Sequence, residues 1–178
     1  MFTLVIGGAA SGKSEYAEAH VETLPGRRLY IATMEPWDEE CRARIARHQA
    51  ARAHKRFTTV ECYRNLSQLT VPPDSNVLLE CLGNLVANER YGRQGGGVAQ
   101  AVAGVAHLLR QCRHVTVVTN EVFSSGEAYQ GDTLSYLRDL AWANRTLARR
   151  ADRVVELVCG LPCVWKGDRK STRLNSSH

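Results

Sequence analysis

The amino-acid sequence predicts an α/β fold in which one mostly parallel, doubly wound sheet is covered by helices. Short apolar runs alternate with longer helix-like segments along the chain, and this alternation is typical of parallel βαβ units. A glycine-rich segment follows the first apolar run directly. The length of 178 residues suits a single domain.

The glycine-rich segment is a phosphate-loop motif between a predicted strand at 3–6 and a predicted helix from Glu15. It reads G-x-x-x-x-G-K-S with every fixed position present. Glycines let backbone N–H groups point at phosphates, and the helix N-terminus adds its positive dipole end. The alternative is a plain glycine-rich turn. The motif favours a phosphate-loop NTPase (RecA-like) with a nucleotide site formed by Gly7, Gly8, Ala9, Ala10, Ser11, Gly12, Lys13 and Ser14.

The other elements follow in order along the chain. Runs rich in β-branched and apolar residues predict further strands at 28–32, 57–62, 76–81, 115–119, 152–158 and 162–166. Helical patterns predict helices at 38–52, 82–90, 99–111 and 133–150. Segments rich in glycine or polar residues predict loops at 91–97 and 124–131. Asn144 lies among several arginines of the last helix, where we expect most polar side chains to face solvent.

One domain is expected over 1–168, followed by a disordered, non-native tail at 169–178, which is polar, aperiodic and resembles vector read-through. No run approaches the roughly 18 to 20 apolar residues of a membrane span, and Met1 leads directly into a strand. We therefore expect a cytoplasmic protein with neither a signal peptide nor a membrane span. Its six cysteines are expected to be free thiols, several of them buried in strands.

Two predicted strands end in polar residues that could take part in chemistry. Glu80 ends the strand that precedes Cys81, where a carboxylate could bind or orient Mg²⁺ together with the Ser14 hydroxyl, or could be an ordinary strand-end side chain. Asn120 and Glu121 follow the strand that ends at Thr119, and could bind substrate or nucleotide or cap the loop.

A basic helix face is the least ordinary feature of the sequence. Arg44, His48 and Arg52 recur every four residues and share one face of the predicted helix 38–52, with Arg47 beside them. Such a face could contact phosphate, and a neutral imidazole among cations could attack it. The alternative is a solvated basic face, and His54 is a second imidazole nearby.

Seven segments occur in an order that a known family shares. They are Gly7–Ser14, Tyr30-Ile31-Ala32-Thr33, Arg44-Ile45-x-x-His48-x-x-x-Arg52, Glu61, Leu78-Leu79-Glu80-Cys81-Leu82, Thr119-Asn120-Glu121-Val122 and Asn144-x-x-Leu147-Ala148-x-x-Ala151-Asp152-x-Val154. Over residues 2–167 the chain thereby resembles the bifunctional adenosylcobinamide kinase / adenosylcobinamide-phosphate guanylyltransferase family of cobalamin biosynthesis.

The resemblance implies an enzyme that phosphorylates adenosylcobinamide with ATP or GTP and then transfers GMP from GTP through a guanylylated histidine, which His48 matches. It implies a homotrimer with the substrate site near the subunit contacts, and Mg²⁺ is the expected cofactor. Besides the phosphate loop, the implied nucleotide contacts are Ala32, Thr33, Met34, Gln49, Ala50, Ala51, Arg52, Glu61 and Glu80.

The chain departs from this family at two places. Phe57 stands where relatives often have Trp, and Phe123–Tyr129 replaces the segment that follows Asn-Glu-Val in some relatives. The cobinamide-binding residues are therefore left open.

Two other functions stay open from the residues alone. One is another phosphate-loop small-molecule kinase, in which His48 contacts phosphate without a covalent adduct. The other is a RecA-like module that acts on nucleic acid. The net charge of +5 gives it little support, because three of the cations lie in the tail, at Arg169, Lys170 and Arg173.

Overall fold

The computed structural model describes residues 1–122 and 128–167. In these ranges the strands are β1 (Phe2–Gly7), β2 (Arg27–Ala32), β3 (Phe57–Glu61), β4 (Ser75–Glu80), β5 (His114–Asn120), β6 (Arg153–Val158) and β7 (Leu161–Lys166). The α-helices are α1 (Lys13–Glu22), α2 (Glu39–Ala53), α3 (Leu82–Tyr91), α4 (Gly97–Gln111) and α5 (Gly131–Arg150), and a short 3₁₀ helix spans Leu66–Gln68.

The strands form one sheet in the order β3-β2-β4-β5-β1-β6-β7. All neighbouring pairs are parallel except β6 and β7, which form an antiparallel hairpin. The predicted fold class is confirmed. Because β1 to β6 are parallel, their carboxyl ends share one edge of the sheet, and this is where ligands bind in open α/β folds.

The predicted strands and helices agree with the structure to within two residues at their described ends. The 3₁₀ helix was not predicted. The predicted loop at 124–131 lies partly outside the described residues, and the predicted tail at 169–178 lies wholly outside them, so the tail stays a prediction.

Two apolar cores lie on opposite faces of the sheet. Helix α1 packs over one face through Ala17 and Val21, which meet strand residues such as Val5 and Leu78. Helices α3, α4 and α5 cover the other face, where they pack on the strand residues whose side chains point to that face. This is the doubly wound arrangement, and it follows from the alternation of side chains along buried parallel strands.

Helix α2 adds almost nothing to either core. Arg52 is its one buried residue, because the sequence of the helix is charged around nearly its whole circumference. Asp38 caps its start, where Oδ1 accepts a hydrogen bond from the Cys41 backbone N–H at 2.7 Å. The helix is therefore positioned by a few specific polar contacts rather than by a packed apolar stripe.

The expectation of cysteines buried in strands was wrong, and Asn144 is an exception to the expectation that most polar side chains of α5 face solvent. The six cysteines are free, as expected, but four are half-buried and two, Cys159 and Cys163, are exposed. Asn144 does not face solvent. It is 8% exposed and bonds the end of β5, since Thr119 Oγ1 donates to its Oδ1 at 2.6 Å and its Nδ2 donates to the Asn120 carbonyl at 3.0 Å. Across the described ranges, the helices are all too short or too polar to cross a bilayer.

Candidate active site

The phosphate loop connects β1 to α1 at the carboxyl edge of the sheet. Gly12 has a φ of 87°, a left-handed conformation that suits glycine. The turn between β6 and β7 supports the loop, since the Gly160 N–H donates to the Ser11 carbonyl at 2.9 Å. Lys13 Nζ donates to the Gly8 carbonyl at 2.9 Å, so its ammonium lies against the loop itself. The predicted strand–loop–helix context is therefore present.

Ser14 and Glu80 meet next to this loop. The Ser14 hydroxyl donates a hydrogen bond to Oε1 of Glu80, which ends β4. Mg²⁺ takes oxygen ligands and is often held by one or two protein groups, with phosphates and water completing its shell. A hydroxyl and a carboxylate side by side fit such an ion.

The backbone around Glu80 is held by Thr33, which follows β2. The Thr33 hydroxyl donates to the backbone at the end of β4, where the Glu80 and Cys81 carbonyl oxygens lie 3.1 and 3.0 Å from Oγ1. Oγ1 also accepts a hydrogen bond from the Cys81 N–H at 2.9 Å. Asn88 of α3 donates to the Thr33 carbonyl at 2.7 Å. The ends of β2 and β4 are thereby fixed relative to each other.

A cavity of about 130 Å³ opens beside Glu80, between the ends of β2 and β4 and the helix α2. It is lined by Tyr30, Ala32, Thr33, Met34, Ile45, His48, Arg52, Glu80, Cys81 and Asn84. His48 and Glu80 thus share one cavity, and Glu80 also bonds Ser14 of the phosphate loop. Burial raises the pKa of the Cys81 thiol, so Cys81 stays protonated and is a poor nucleophile.

Arg52 and Tyr30 stack on each other where they line this cavity. The Arg52 guanidinium carbon lies 3.6 Å from the centroid of the Tyr30 ring, and Arg52 is 4% exposed. Within the described part of the chain, Arg52 Nε has no hydrogen-bond partner. Burial, and then the Glu80 carboxylate, raise the pKa of Tyr30 well above its usual range, so its hydroxyl stays a donor.

The predicted site residues do not all converge. Gln49, Ala50 and Ala51 are exposed on α2 and are not among the residues that line the cavity. Glu61 is exposed at the end of β3 and accepts a hydrogen bond from the Tyr63 hydroxyl at 3.0 Å. Their roles as nucleotide contacts stay predictions.

The two histidines of this region occupy different places. His48 lines the cavity beside Glu80, whereas His54 lines a second surface pocket with Glu22, Gly26, Arg27, Arg28, Lys55, Arg56 and Thr58. That pocket includes residues at or next to the amino ends of β2 and β3, opposite to the phosphate loop. Of the two imidazoles, His48 is therefore the one near the candidate metal ligands.

Glu121 lies directly beside the start of the phosphate loop, since its N–H donates to the Gly7 carbonyl at 3.0 Å. Its Oε2 is buried and has no hydrogen-bond partner among the described residues. Asn120 is fixed through the bond from Asn144. Both strand-end residues therefore face the same edge as the loop, as the parallel order of β1, β4 and β5 requires.

Four residues that line the cavity were not predicted as site residues from the sequence: Tyr30, Ile45, Cys81 and Asn84. Tyr30 could have been found, because side chains alternate along a strand and Tyr30 is two residues before Ala32 on β2. Asn84 gave no such signal, since it lies within a helix whose pattern is mainly apolar.

The phosphate loop at the carboxyl edge of a parallel sheet, with Ser14 bonded to Glu80, defines a phosphate-loop nucleotide enzyme. Residues 3–164 match the family described as cobinamide kinase / cobinamide phosphate guanyltransferase. The chain belongs to this family.

Similar curated proteins agree with this assignment. The chain is 36% identical over 180 residues to the bifunctional adenosylcobalamin biosynthesis protein CobU of Salmonella typhimurium, with 90% of this chain and 97% of the relative covered. It is 34% identical to CobU of Escherichia coli, covering 90% of this chain and 97% of the relative. It is 30% identical to CobP of Pseudomonas aeruginosa, covering 94% of this chain and 99% of the relative.

Proposed function

We propose that this enzyme phosphorylates adenosylcobinamide with ATP or GTP and then converts the product to adenosylcobinamide-GDP through a guanylylated His48. The family membership supports both activities. One observation supports the shared site: His48 and Glu80 line the same cavity, and Glu80 bonds Ser14 of the phosphate loop.

In the kinase half-reaction, the acceptor hydroxyl oxygen attacks the γ-phosphorus. The new O–P bond forms as the bond between the γ-phosphorus and the bridging oxygen breaks, and the nucleoside diphosphate leaves while the hydroxyl proton goes to solvent or a base. This chemistry depends mainly on positioning and charge. Lys13 and the loop N–H groups bind the phosphates, and no protein nucleophile is needed.

In the guanylyl half-reaction, a His48 ring nitrogen attacks the α-phosphorus of GTP, and pyrophosphate leaves. A phosphate oxygen of adenosylcobinamide phosphate then attacks the same phosphorus, and the bond from phosphorus to nitrogen breaks. This returns the free His48 side chain and gives adenosylcobinamide-GDP. Arg52, one helical turn away, binds phosphate oxygen with its buried guanidinium.

Ser14 and Glu80 are proposed to hold Mg²⁺, which when bound would neutralise charge on the phosphates. Ser14 then supplies its hydroxyl oxygen and Glu80 a carboxylate oxygen. The residues Ala32, Thr33, Met34, Gln49, Ala50, Ala51 and Glu61 are proposed as the remaining nucleotide contacts.

We further propose that the enzyme is a cytoplasmic homotrimer. Trp142 on α5 and Trp165 on β7 are 41% and 72% exposed, and burial of such aromatic side chains between copies would favour association. Light scattering of the purified protein would give three times the chain mass if this is right, and a monomer mass would contradict it.

The two half-reactions can be separated by one substitution. His48→Ala should abolish adenosylcobinamide-GDP formation and leave adenosylcobinamide phosphate accumulating, because only the second step needs the imidazole. Chromatography of both products tests this. If both products are lost in a folded variant, His48 is a shared phosphate contact, and the enzyme forms no covalent intermediate there.

A further inference from the structure

We propose that Tyr30 is a positioning residue for both halves of the site. Its hydroxyl holds the Glu80 carboxylate that faces the phosphate loop, and its ring holds the Arg52 guanidinium one turn from His48. The inference rests on the proposed function of Glu80 and His48. It gives a role to Tyr30, which lies in a predicted strand and among the segments shared with the family but was not predicted as a site residue.

The first contact fixes the orientation of the Glu80 carboxylate. The Tyr30 hydroxyl donates to Oε2 at 3.0 Å, while the Ser14 hydroxyl donates to Oε1. Tyr30 on β2 pairs with Leu78 on β4, so the two side chains lie on the same face of the sheet. Glu80 is two residues after Leu78 on β4, and its side chain therefore lies on that face as well. Tyr30 is 4% exposed, so water does not readily replace its hydroxyl. With both oxygens held, the carboxylate presents a defined face to a cation.

The second contact fixes the last turn of α2. Arg52 is the only buried residue of this helix, and its guanidinium carbon lies 3.6 Å from the Tyr30 ring centroid. Just beyond the helix, Lys55 pairs with Glu18 at 2.6 Å, and Arg28 donates to the Lys55 carbonyl at 2.9 Å. Those two contacts fix the chain after the helix. The stacked pair is therefore a contact between the sheet and the helix turn that faces the cavity.

The two contacts can be removed separately. Tyr30→Phe removes the hydroxyl and keeps the ring under Arg52, whereas Tyr30→Leu removes both. Phe57 meets the Tyr30 ring edge-on, with the ring centroids 6.3 Å apart. Phe57→Leu is therefore a matched control for lost packing in the same core.

The Glu80 contact is tested by binding, without turnover. Calorimetry measures the affinity for a non-hydrolysable ATP analogue over a series of Mg²⁺ concentrations. We expect Tyr30→Phe to raise the Mg²⁺ concentration for half-maximal binding by about 3- to 10-fold, the effect of one lost hydrogen bond. We expect Phe57→Leu to leave it unchanged. An unchanged Mg²⁺ dependence in Tyr30→Phe, or an equal shift in Phe57→Leu, would overturn this half of the proposal.

The Arg52 contact is tested by single-turnover guanylylation at saturating Mg²⁺. We expect Tyr30→Phe to react within about twofold of the wild-type rate and Tyr30→Leu to react about tenfold more slowly, because a desolvated cation–π contact is lost. If Tyr30→Leu does not fold, Tyr30→Met removes the ring while leaving Arg52 in place, and should slow the reaction similarly. Equal rates in all variants would overturn this half.

Failure of the proposed function would look different from failure of this inference. If the wild-type protein formed no guanylyl adduct, the proposed second step would be wrong. The binding experiment would still decide whether Tyr30 positions Glu80.

Discussion

The Ser14 hydroxyl donates a hydrogen bond to Oε1 of Glu80, although 66 positions separate the two residues in the chain. The contact joins the start of α1 to the end of β4, which are brought to one edge by the parallel order of the sheet. The same carboxylate lines the cavity of His48. One side chain thus links the phosphate loop to the candidate nucleophile.

Lys13→Ala should weaken nucleotide use in both half-reactions. A charge-assisted contact to phosphate contributes about 1.5–3 kcal/mol, so we expect roughly a 10- to 150-fold lower rate at subsaturating nucleotide. Lys166→Ala is the matched control, because among the described residues this exposed lysine of β7 bonds only carbonyls at the end of α5, at 2.8 and 3.2 Å. Near-wild-type turnover in Lys13→Ala would refute the role of the loop.

Glu80→Gln keeps the shape of the side chain and removes its negative charge. We expect the Mg²⁺ requirement for nucleotide binding to rise about tenfold or more, because a carboxylate is a far better Mg²⁺ ligand than an amide. Glu156→Gln serves as control, since the Glu156 side chain on β6 accepts a hydrogen bond from Trp165 Nε1 at 2.8 Å and from no other residue in the part of the chain that the structure describes. Titration of Mg²⁺ at fixed ATP analogue measures the effect. If nucleotide binding depended on Mg²⁺ concentration equally in the two variants, Glu80 would not be a metal ligand.

Leu78→Ala should destabilise the fold. Leu78 is fully buried on the α1 face of β4, and such a truncation typically costs 2–5 kcal/mol. Leu161→Ala removes the same atoms from a residue that is 68% exposed, and should change the free energy of unfolding by no more than about 0.5 kcal/mol. Denaturant unfolding of both variants provides the comparison. Similar losses would mean that β7 is buried against something else in solution.

Stability should fall as the pH is lowered through the histidine range. Burial, and then the charges of Arg153 and His114, lower the pKa of His20 below its usual value of 6.5. The unfolded chain therefore binds a proton at His20 before the folded chain does, and the free energy of unfolding decreases as the pH falls from about 7 to 5. His20→Gln should make this decrease smaller. An unchanged pH slope in the variant would show that His20 does not contribute to it.

Most of the fold was predictable because local patterns and the fold agree. The phosphate loop and the buried strands β1, β4 and β5 are marked by glycine and apolar residues whose positions depend on short-range rules. Alternation along β2 could place Tyr30 on the same side as Ala32, but contacts that arise from pairing between strands were not predictable. The contact of Tyr30 with Glu80 depends on the register of β2 with β4, which no single segment reveals.

Polar residues inside helices were also hard to interpret. The residues around Asn144 in the sequence are those of a solvated helix face. Asn144 is nevertheless buried, because this turn of α5 lies at the end of β5 and bonds to it. His48 could be predicted as a site residue because arginines recur at helical spacing around it, and this pattern is visible within one segment of the sequence. Its proximity to Glu80 became visible only in the folded chain.

The retention of label from α-labelled GTP is the most direct test of the covalent mechanism. The protein is incubated with α-labelled GTP and Mg²⁺ and denatured, and the retained label is then measured. We expect the label to stay bound at alkaline pH and to be lost in acid, as for a bond between histidine nitrogen and phosphorus. We also expect no label in His48→Ala and full label in His54→Ala. Label that persists in His48→Ala, or that maps to His54, would contradict this mechanism.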